Sequence, residues 1–384
     1  MSTCGVERVC DPRQFDALAP AWAVLCTAAG IENVFLTHRW LSEWWRVYGA
    51  GRDLWTLVVR DGSRIAGIAP LVLERTFVGG PRFVRFMGAG EVTPNHLDVI
   101  AAPGDRGAVL CAIWAWLTRN RSAWDLLSLE GMAGDSPSGG LLSDLFRATG
   151  SALRARVSEV CPYAVLPPSF EEFIQSRGSR TSSRLRYRQR RLERDFPGAR
   201  FADVASPEEF AEVFEAFLRL HQARWSKRGQ RDSFSSSRLV LFHRAVARAA
   251  FDNRTVRLYH LRLGGTVAAV FYCFRVGSRL TYYNAGFDDG YGKYSLGILT
   301  LAYAIGQGIA EGAKEFDFLQ GEEDYKRQWA NAQRVNLRIA THAPHARGRL
   351  AWLGYVADER LRDAAKTLLS RETRRRIRHL ARKP

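Results

Sequence analysis

The sequence lacks the long apolar runs that a membrane span requires. No stretch of about 18 consecutive apolar residues occurs in its 384 residues, so we expect no transmembrane helix. Residues 1–16 also lack the apolar segment of a secretory signal. We therefore expect a cytoplasmic protein, with a peripheral position at the inner face of the membrane as a second expectation.

Cysteine and histidine are sparse and carry no metal-binding spacing. The six cysteines are scattered without a Cys-x-x-Cys pair, and the eight histidines contain no His-Glu-x-x-His motif. Isolated thiols of this kind are typical of buried or surface side chains rather than of disulfides or zinc sites. The sequence therefore predicts no structural metal and no metal at the functional site.

Acidic residues are too few to balance the basic ones. Lys and Arg number 56 and Asp and Glu number 39, which gives a formal net charge of +17. A field this positive attracts polyanions such as nucleic acid, anionic lipid or phosphate-bearing donors like coenzyme A, without selecting among them. An arginine-rich composition is also typical of a GC-rich genome, so charge alone does not identify a ligand.

The hydrophobic periodicity of the first half predicts two helices followed by a run of strands. Helical spacing covers residues 12–30 and 38–48, and Asp61-Gly62 is typical of a turn between two strands. The remaining predicted elements are a continuous strand at RIAGIAPLVLE, strands at RFVRFMG and NHLDVIA, a buried helix and a strand at AWDLLSLEG.

The second half repeats this order of elements. Helices are predicted over residues 207–225 and 238–251, followed by two strands that meet at Gly264-Gly265. A strand at RLTYYNAGF, a helix that ends at Gly312 and a strand at KEFDFLQG complete the repeat. We interpret this pattern as an internal duplication, and chance similarity of two α/β segments is the alternative.

The duplication predicts an α/β protein with mixed sheets and two related domains. Residues 1–165 form the expected N-terminal, non-catalytic lobe, residues 166–345 the catalytic domain, and residues 346–384 a basic helical extension. Two consecutive prolines mark the boundary between the halves. In this alignment of the closing strands, Asp125 lies opposite Asp317.

Two segments concentrate the positive charge. Residues 177–200 contain nine arginines and predict a helix that ends before Pro197. This helix either binds a polyanion such as transfer RNA or is a solvated helix that packs through Leu185 and Leu192. The last fourteen residues, 371–384, contain seven Lys or Arg, and they form either a solvated tail or a contact with an anionic membrane surface or a partner.

Residues 281–330 contain the pattern from which function is inferred. A strand enters a loop rich in Gly and Tyr, and this loop leads to Ser295 and Gly297 at the start of a helix. The first turn of a helix has free N–H groups and a positive dipole end, so it can hold a phosphate, and glycine permits close approach. By itself this pattern is weakly specific.

The segment resembles the acetyltransferase family associated with cellulose biosynthesis (the CelD/BcsL type) of the GNAT superfamily. The resemblance extends well over residues 170–340 and only loosely over the first half. The residues that carry it are Tyr283, Asn284, Gly286, Phe287, Asp288, Tyr294, Ser295, Leu296, Gly297, Gly312, Phe316, Asp317, Phe318, Leu319, Gly321, Glu322, Tyr325, Lys326 and Trp329, and a second patch at His221, Gln222, Ala223, Arg224, Trp225, Arg228, Gly229 and Phe234.

The resemblance implies tandem GNAT-like domains, an arrangement similar to that of the Fem-type peptidoglycan aminoacyltransferases. Two parallel strands, residues 281–285 and 315–319, are then expected to splay apart around the thioester of acetyl-CoA or another acyl-CoA. The donor's pyrophosphate is expected on the loop that comprises Lys293, Tyr294, Ser295, Leu296 and Gly297. The glycines of this loop depart from the usual Q/R-x-x-G-x-G/A spacing, and Fem-type proteins use aminoacyl-tRNA as donor, so the donor stays open.

The resemblance also implies the residues of the chemical step. Asp317 or Glu322 is expected to accept the proton of the nucleophile, and Lys326 to stabilise the developing negative charge. If the turn after the strand continues as a helix, Glu322 and Lys326 share a face and form a pair. A carboxylate bonded to local backbone or to an arginine is the alternative for Asp317.

Five further residues are expected to bind the acceptor: His221, Arg224, Trp225, Tyr283 and Asn284. Simple packing is the alternative for Trp225, and for Tyr283 the alternatives are a role as proton donor and simple packing. The leading hypothesis is an acyltransferase that acts on an amine or hydroxyl of a small molecule, sugar or envelope precursor. The alternatives are a Fem-type transferase that uses aminoacyl-tRNA and an inactive scaffold in polysaccharide secretion.

Overall fold

The computed structural model describes residues 4–227, 234 and 236–368, and the element bounds within these residues are as follows. The strands are β1 (Gly5–Val9), β2 (Asp53–Leu54), β3 (Thr56–Asp61), β4 (Arg64–Ala69), β5 (Leu71–Arg75), β6 (Arg82–Phe86), β7 (Ile100–Ala101), β8 (Leu126–Ala133), β9 (Arg154–Val165), β10 (Arg200–Ala202), β11 (Val256–Leu263), β12 (Thr266–Val276), β13 (Arg279–Phe287), β14 (Glu315–Asp317) and β15 (Ala332–His342). The helices are α1 (Pro12–Ala17), α2 (Ala19–Ala28), α3 (His38–Tyr48), α4 (Arg106–Arg119), α5 (Pro137–Ala148), α6 (Phe170–Ser176), α7 (Ser179–Asp195), α8 (Pro207–Lys227), α9 (Ser237–Asp252), α10 (Leu296–Ala310), α11 (Asp324–Trp329) and α12 (Ala346–Leu368).

The strands form a small and a large sheet. The small sheet has the order β1-β3-β4-β7, and the large sheet has eleven strands in the order β10-β11-β12-β13-β14-β9-β15-β8-β6-β5-β2. Both predicted hairpins form, because glycine supplies the positive φ that their tight turns require: Gly62 has φ 59°, and Gly264 and Gly265 have φ 56° and 84°. The predicted helix end is also confirmed, since α10 stops just before Gly312, whose φ is 81°.

Three predicted elements of the first half are wrong in extent. The predicted continuous strand RIAGIAPLVLE divides into β4 and β5 at Pro70, which has no N–H for a strand ladder, and the two pieces belong to different sheets. The predicted helix over residues 12–30 divides into α1 and α2, with a proline in the first turn of α2. Of the predicted strand NHLDVIA, only Ile100–Ala101 is part of a sheet.

A strand–helix–strand unit occurs once in each half of the chain. In the first half, β6 and β8 are parallel with Val84 opposite Leu127, and α4 connects them. In the second half, β13 and β14 are parallel with Leu280 opposite Phe316, and α10 connects them. The predicted match of Asp125 with Asp317 is wrong, because Asp125 immediately precedes β8 whereas Asp317 is the last residue of β14.

Strands β9 and β15 join the two units at the centre of the large sheet. They pair antiparallel with one another, from Ala332 opposite Tyr163 to Ala340 opposite Arg154. β9 follows the first unit along the chain but pairs with β14 of the second unit, and β15 follows the second unit but pairs with β8 of the first. Each half therefore contributes the strand that borders the other half's unit.

A buried polar network fastens the loop before β7 to the second half. The backbone N–H of His96 donates to Asn336 Oδ1 (3.1 Å), and Asn336 Nδ2 donates to Asn95 Oδ1 (2.7 Å). Asn33 Nδ2 donates to the carbonyls of Asn95 and His96 at 2.9 and 2.8 Å. All four residues are buried, so an unpaired polar atom here would be costly.

The C-terminal helix α12 is held to the centre of the sheet by a buried carboxylate. Glu359 is buried and forms ion pairs with Arg154 and Arg156 on β9 and with Arg338 on β15. The predicted helix over this region is therefore present through residue 368, and the predicted basic tail, residues 371–384, lies outside the described residues. None of the helices in the described part combines the length and the apolar character of a membrane span.

The Asn95–Asn336 contact predicts a measurable interface energy. Asn336→Ala leaves the His96 N–H without its acceptor and leaves the Asn95 oxygen only the weak thiol donor of Cys161 at 3.4 Å, so we expect a loss of about 1–3 kcal/mol in the free energy of unfolding by urea titration. Gln333→Ala, an exposed position on the same strand, is the control and should change stability by less than about 0.5 kcal/mol. Equal effects of the two substitutions would contradict the importance of the network.

Candidate functional site

Strands β13 and β14 are paired over a short distance and then diverge. Their parallel pairing runs from Arg279 opposite Glu315 to Thr281 opposite Asp317, while β13 continues to Phe287. The chain after β14 follows β9 instead, because Phe318 N donates to the carbonyl of Pro162 and Gly321 N to that of Val160, both at 3.1 Å. A gap therefore opens between the C-terminal ends of β13 and β14, as expected for the splayed strands.

A bulge in β13 lies beside this gap. Tyr272 of β12 is opposite Asn284, and Cys273 is opposite Tyr282, so Tyr283 is the extra residue. Bulges redirect side chains and are frequent near active sites. The half-buried Asn284 side chain accepts a hydrogen bond from the N–H of Ala285 at 2.8 Å, at the level of the gap.

The bulge turns Tyr283 into the interface with the first half. Its hydroxyl lies 2.8 Å from His243 Nε2 and donates to the carbonyl of Val92 at 3.1 Å. Burial lowers the pKa of His243 to about 3, so its imidazole is neutral, and burial raises the pKa of Tyr283. These contacts give Tyr283 a packing role between the halves, and its predicted contact with acceptor stays a prediction.

The loop of residues 288–295 leads from β13 to the first turn of α10. Asp288 Oδ1 accepts the N–H of Gly290 at 2.8 Å, and Ser295 has φ 57°, the left-handed conformation, immediately before the helix. The N–H groups of Ile298 and Leu299 both donate to the Ser295 carbonyl, at 2.9 and 3.2 Å. The first N–H groups of α10 have no acceptor within the helix and carry its positive dipole end.

Gly297 is required for packing at the start of α10. A Cβ atom on this residue would lie 2.8 Å from the Phe287 ring, too close for any side chain without displacement. The guanidinium of Arg224, a residue of α8, lies 4.0 Å from the centroid of the same ring. The edge of the gap is thus formed by a stack of Gly297, Phe287 and Arg224. The sequence pattern predicted that Gly297 allows the close approach of a phosphate and did not predict this stack.

The predicted cluster on α8 is brought together by its helical spacing. Trp225 Nε1 donates to Nε2 of the buried His221 at 3.0 Å, one turn away. Gly286 permits this placement, since a Cβ there would lie 2.7 Å from the Phe217 carbonyl of α8 and 2.9 Å from the His221 nitrogen. His221 is therefore an internal support, whereas Arg224 and Trp225 are half-buried, and Arg224 lies over Phe287 at the end of β13.

Asp317 is buried at the last paired position of β14. Its Oδ1 accepts the N–H of Leu319 at 2.8 Å, and its Oδ2 lies 3.0 Å from His96 Nε2 of the first half. Burial alone would raise the pKa, but His96, Arg334 and Arg279 outweigh it and lower the pKa of Asp317 to about 2. A carboxylate with so low a pKa is a weak proton acceptor near neutral pH.

The predicted pair between Glu322 and Lys326 is wrong. Helix α11 begins only at Asp324, so Glu322 precedes the helix and does not share its face. The buried Lys326 Nζ instead donates to the Gln320 carbonyl at 2.6 Å and lies 3.1 Å from Glu323 Oε2.

Glu322 is exposed beside an open cleft. Its Oε1 lies 3.7 Å from Arg327, and it lines a cleft of about 480 Å³ between β9, β15 and α11. A larger cleft of about 800 Å³ lies around α2 and α3, with Val276 and Gly277 of the second half also in its lining, and contains none of the predicted site residues. In the described part of the chain, no group of three or more His, Cys, Asp or Glu side chains could hold a metal.

Tyr325 and Tyr282 are functional candidates to which sequence reasoning assigned no role. Tyr282 stacks on Phe271 with a 5.0 Å centroid distance, and its hydroxyl interacts with that of Tyr325 in the first turn of α11. Burial raises the pKa of Tyr325 to about 12, as does Glu323, while Tyr282 and Arg224 oppose the rise. The available signal was a tyrosine immediately before Lys326, in the segment that follows the closing strand.

Comparison with known proteins finds a matching family model and solved structures of similar fold. Residues 179–327 match the family model described as acetyltransferase (GNAT) domain, and no curated protein matches the sequence. The structure of FemX is similar, with a TM-score of 0.60 and 10% identity over 87% of this chain and 96% of that one.

Two further solved structures share the fold. One is a C-terminal domain named for lysylphosphatidylglycerol synthetase from Agrobacterium fabrum, with a TM-score of 0.54 and 11% identity over 91% of this chain and 96% of that one. The other is L-PGS from Bacillus licheniformis, with a TM-score of 0.51 and 12% identity over 91% and 97%. Together with the repeated strand–helix–strand unit, these matches confirm the predicted mixed α/β fold with tandem GNAT-like domains.

The environment of Asp317 predicts a pH-dependent contribution to stability. Because its pKa falls from 3.8 to about 2 on folding, the contribution is present above about pH 4 and disappears as pH falls toward 2. We expect Asp317→Asn to cost about 2 kcal/mol at pH 6.5 by urea unfolding, and the difference from wild type to shrink below pH 4. Asp252→Asn, in an exposed ion pair, should have little effect at either pH, and a constant deficit for Asp317→Asn would refute this electrostatic account.

Proposed function

We propose that this chain transfers an acyl group from an acyl-CoA thioester to an amine or hydroxyl. The observation that carries the proposal is the divergence of β13 and β14 after Thr281 and Asp317, next to the start of α10. Beyond these two residues the backbone N–H and C=O groups of the two strand ends do not bond to one another, so a thioester can lie between them. The N-terminal end of α10, which carries the positive end of the helix dipole, lies at the same edge of the sheet, and its N–H groups can bind the donor's phosphates.

The residues around the gap suit the binding of such a donor. The free N–H groups at the start of α10 and the neighbouring Lys293 would bind phosphate oxygens. Asn284 at the bulge and Arg224 over Phe287 would line the path to the reacting carbonyl. Of the residues proposed for the acceptor, Arg224 and Trp225 of α8 are half-buried, as is Asn284, and His221 supports Trp225.

The proposed reaction requires two proton movements. The nucleophile forms a bond to the acyl carbon and loses a proton, and the carbon–sulfur bond breaks so that sulfur gains a proton. We propose Tyr325 as the proton donor to sulfur, because a pKa of about 12 keeps its hydroxyl protonated at neutral pH. Lys326, fixed by the Gln320 carbonyl, would stabilise the negative charge on the carbonyl oxygen.

For the proton acceptor, the exposure of the two carboxylates favours Glu322. Asp317 is buried against His96 and has a lowered pKa, whereas Glu322 is exposed at the cleft and accessible to an acceptor or to water. The acceptor itself is proposed to be an amine or hydroxyl of a sugar or envelope precursor, in line with the sequence resemblance to the cellulose-associated family.

A second candidate function is transfer from aminoacyl-tRNA. It is favoured by the exposed arginines along α7, which offer a basic helix to an RNA backbone. The two candidates differ in the donor they bind, so calorimetric titration with coenzyme A and retention of tRNA at moderate salt distinguish them. Binding of neither donor would favour a scaffold without activity.

The role proposed for Tyr325 predicts a selective loss of turnover. Tyr325→Phe removes the proton donor, and we expect kcat to fall by about 10²-fold with acetyl-CoA while the donor Kd changes little. The control is Tyr303→Phe, a partly buried tyrosine on α10 that stacks on Phe201 instead of facing the gap, which should keep normal turnover. Full activity of Tyr325→Phe would remove this residue from the mechanism.

A further inference from the structure

Helix α7, which carries most of the arginines between the two halves, packs against the 288–295 loop. The Tyr294 hydroxyl donates to Asp195 Oδ2 at 2.9 Å, at the C-terminal end of α7. Arg191 lies 3.5 Å from the Lys293 carbonyl and 5.5 Å from the centroid of the Tyr294 ring. The basic helix is therefore adjacent to the proposed donor site despite the distance between them in sequence.

One side of α7 faces the edge of the sheet where the gap opens. Near the N-terminal end of the helix, Thr181 accepts a hydrogen bond from Gln328 of α11 at 3.5 Å. Near its C-terminal end, Arg191 contacts the 288–295 loop. Arg184 and Arg188 follow Thr181 by three and seven residues and precede Arg191, so helical geometry puts them on the same side, between α11 and the loop.

Arg184 and Arg188 lack the ion pairs that two other arginines of the helix form, and among the described residues Arg180 and Arg190 of the same helix lack them too. Arg186, on the opposite side, pairs with Glu171 at 3.0 Å, and Arg194 pairs with Asp195 at 2.9 Å. Among the residues that the structure describes, Arg184 and Arg188 have neither an ion pair nor a side-chain hydrogen bond. Unneutralised guanidinium groups beside a helix N-terminus create a local site for an anion with more than one charged group.

We propose that Arg184, Arg188 and Arg191, together with Lys293, bind the phosphates of a 3′-phosphorylated adenosine diphosphate group, the charged end of coenzyme A. This inference rests on the proposed acyl-CoA-dependent function and names a protein surface for the part of the donor that the gap does not hold. The start of α10 offers roughly half a positive charge, too little to balance a pyrophosphate and a further phosphate. Guanidinium groups supply the remaining charge and can bind phosphate with two parallel hydrogen bonds.

The inference is specific to one side of the helix. A polynucleotide would engage the arginines on both sides of α7, because its backbone charge is continuous and its contacts are distributed. The adenosine diphosphate group of one coenzyme A molecule, held against the 288–295 loop, reaches only the side of α7 that faces α11. Arg186 and Arg190, about half a turn away from Arg184 and Arg188, therefore form a control pair with the same loss of charge on the same helix.

The test is calorimetric titration of coenzyme A and of dephospho-coenzyme A into three full-length proteins: wild type, Arg184→Ala/Arg188→Ala and Arg186→Ala/Arg190→Ala. We expect the first variant to bind coenzyme A roughly 10–100-fold more weakly, and the second to bind within about twofold of wild type. The loss should be smaller for dephospho-coenzyme A, which lacks one phosphate. Matching circular dichroism melts would establish that the variants are folded.

The outcomes separate the inference from the proposed function. If wild type binds coenzyme A and both variants bind it equally well, the arginine site is refuted while the proposed donor stands. If wild type does not bind coenzyme A, the proposed function itself fails. If tRNA retention falls equally in both variants while coenzyme A binding is unchanged, α7 binds a polynucleotide and the inference is overturned.

Discussion

The candidate site depends on one constraint: β14 pairs with β13 on one edge and β9 on the other for three residues, and the chain that follows then leaves β13 and continues along β9. Backbone bonds from Phe318 and Gly321 to β9 hold the departing chain, and Lys326 closes the turn through the Gln320 carbonyl. The gap, the exposed end of β13 and the position of Tyr325 all follow from this divergence. Without β9 at the centre of the sheet, the chain after β14 would have no strand to hold it away from β13.

The exchange of β9 and β15 explains why the first half is needed even though the site lies in the second. Its strand β9 directs the chain after β14, and Nε2 of its His96 lies 3.0 Å from the buried carboxylate of Asp317. The helix of its own strand–helix–strand unit is less suited to an anion. The residue immediately before α4 is Asp105, which pairs with Arg64, whereas the residue immediately before α10 is Ser295. The carboxylate of Asp105 disfavours an anion at the start of α4. This contrast is consistent with a donor site in the second half alone.

Local sequence signals predicted the parts of the fold that depend on neighbouring residues. The glycine turns of both hairpins, the end of α10 and the helical cluster of His221 and Trp225 were all predictable in this way. The central strands β9 and β15 were not predicted. Their inward-facing positions include arginines whose partners, such as Glu359 on α12, are distant in sequence, so the strands do not show a regular apolar alternation.

The candidate site was predictable to a similar degree. The loop and helix start follow from the chain order, but the Glu322–Lys326 pair failed because the actual helix start, at Asp324, depends on the contacts of the preceding turn. The pairing of Asp317 with His96 spans the two halves and has no local signal. The approach of α7 to the 288–295 loop likewise results from tertiary packing, through contacts such as that between Tyr294 and Asp195.

The central claim is that an acyl-CoA lies between the diverging strands with its phosphates at the start of α10. Hydrogen–deuterium exchange with and without coenzyme A tests it directly, because bound ligand slows exchange of the amides that it covers. We expect slower exchange in peptides that contain residues 282–287, 293–299 and 318–323, and unchanged exchange in residues 87–110 of the first half. Saturating coenzyme A that leaves the first three peptides unchanged, or protects only the first half, would contradict the account.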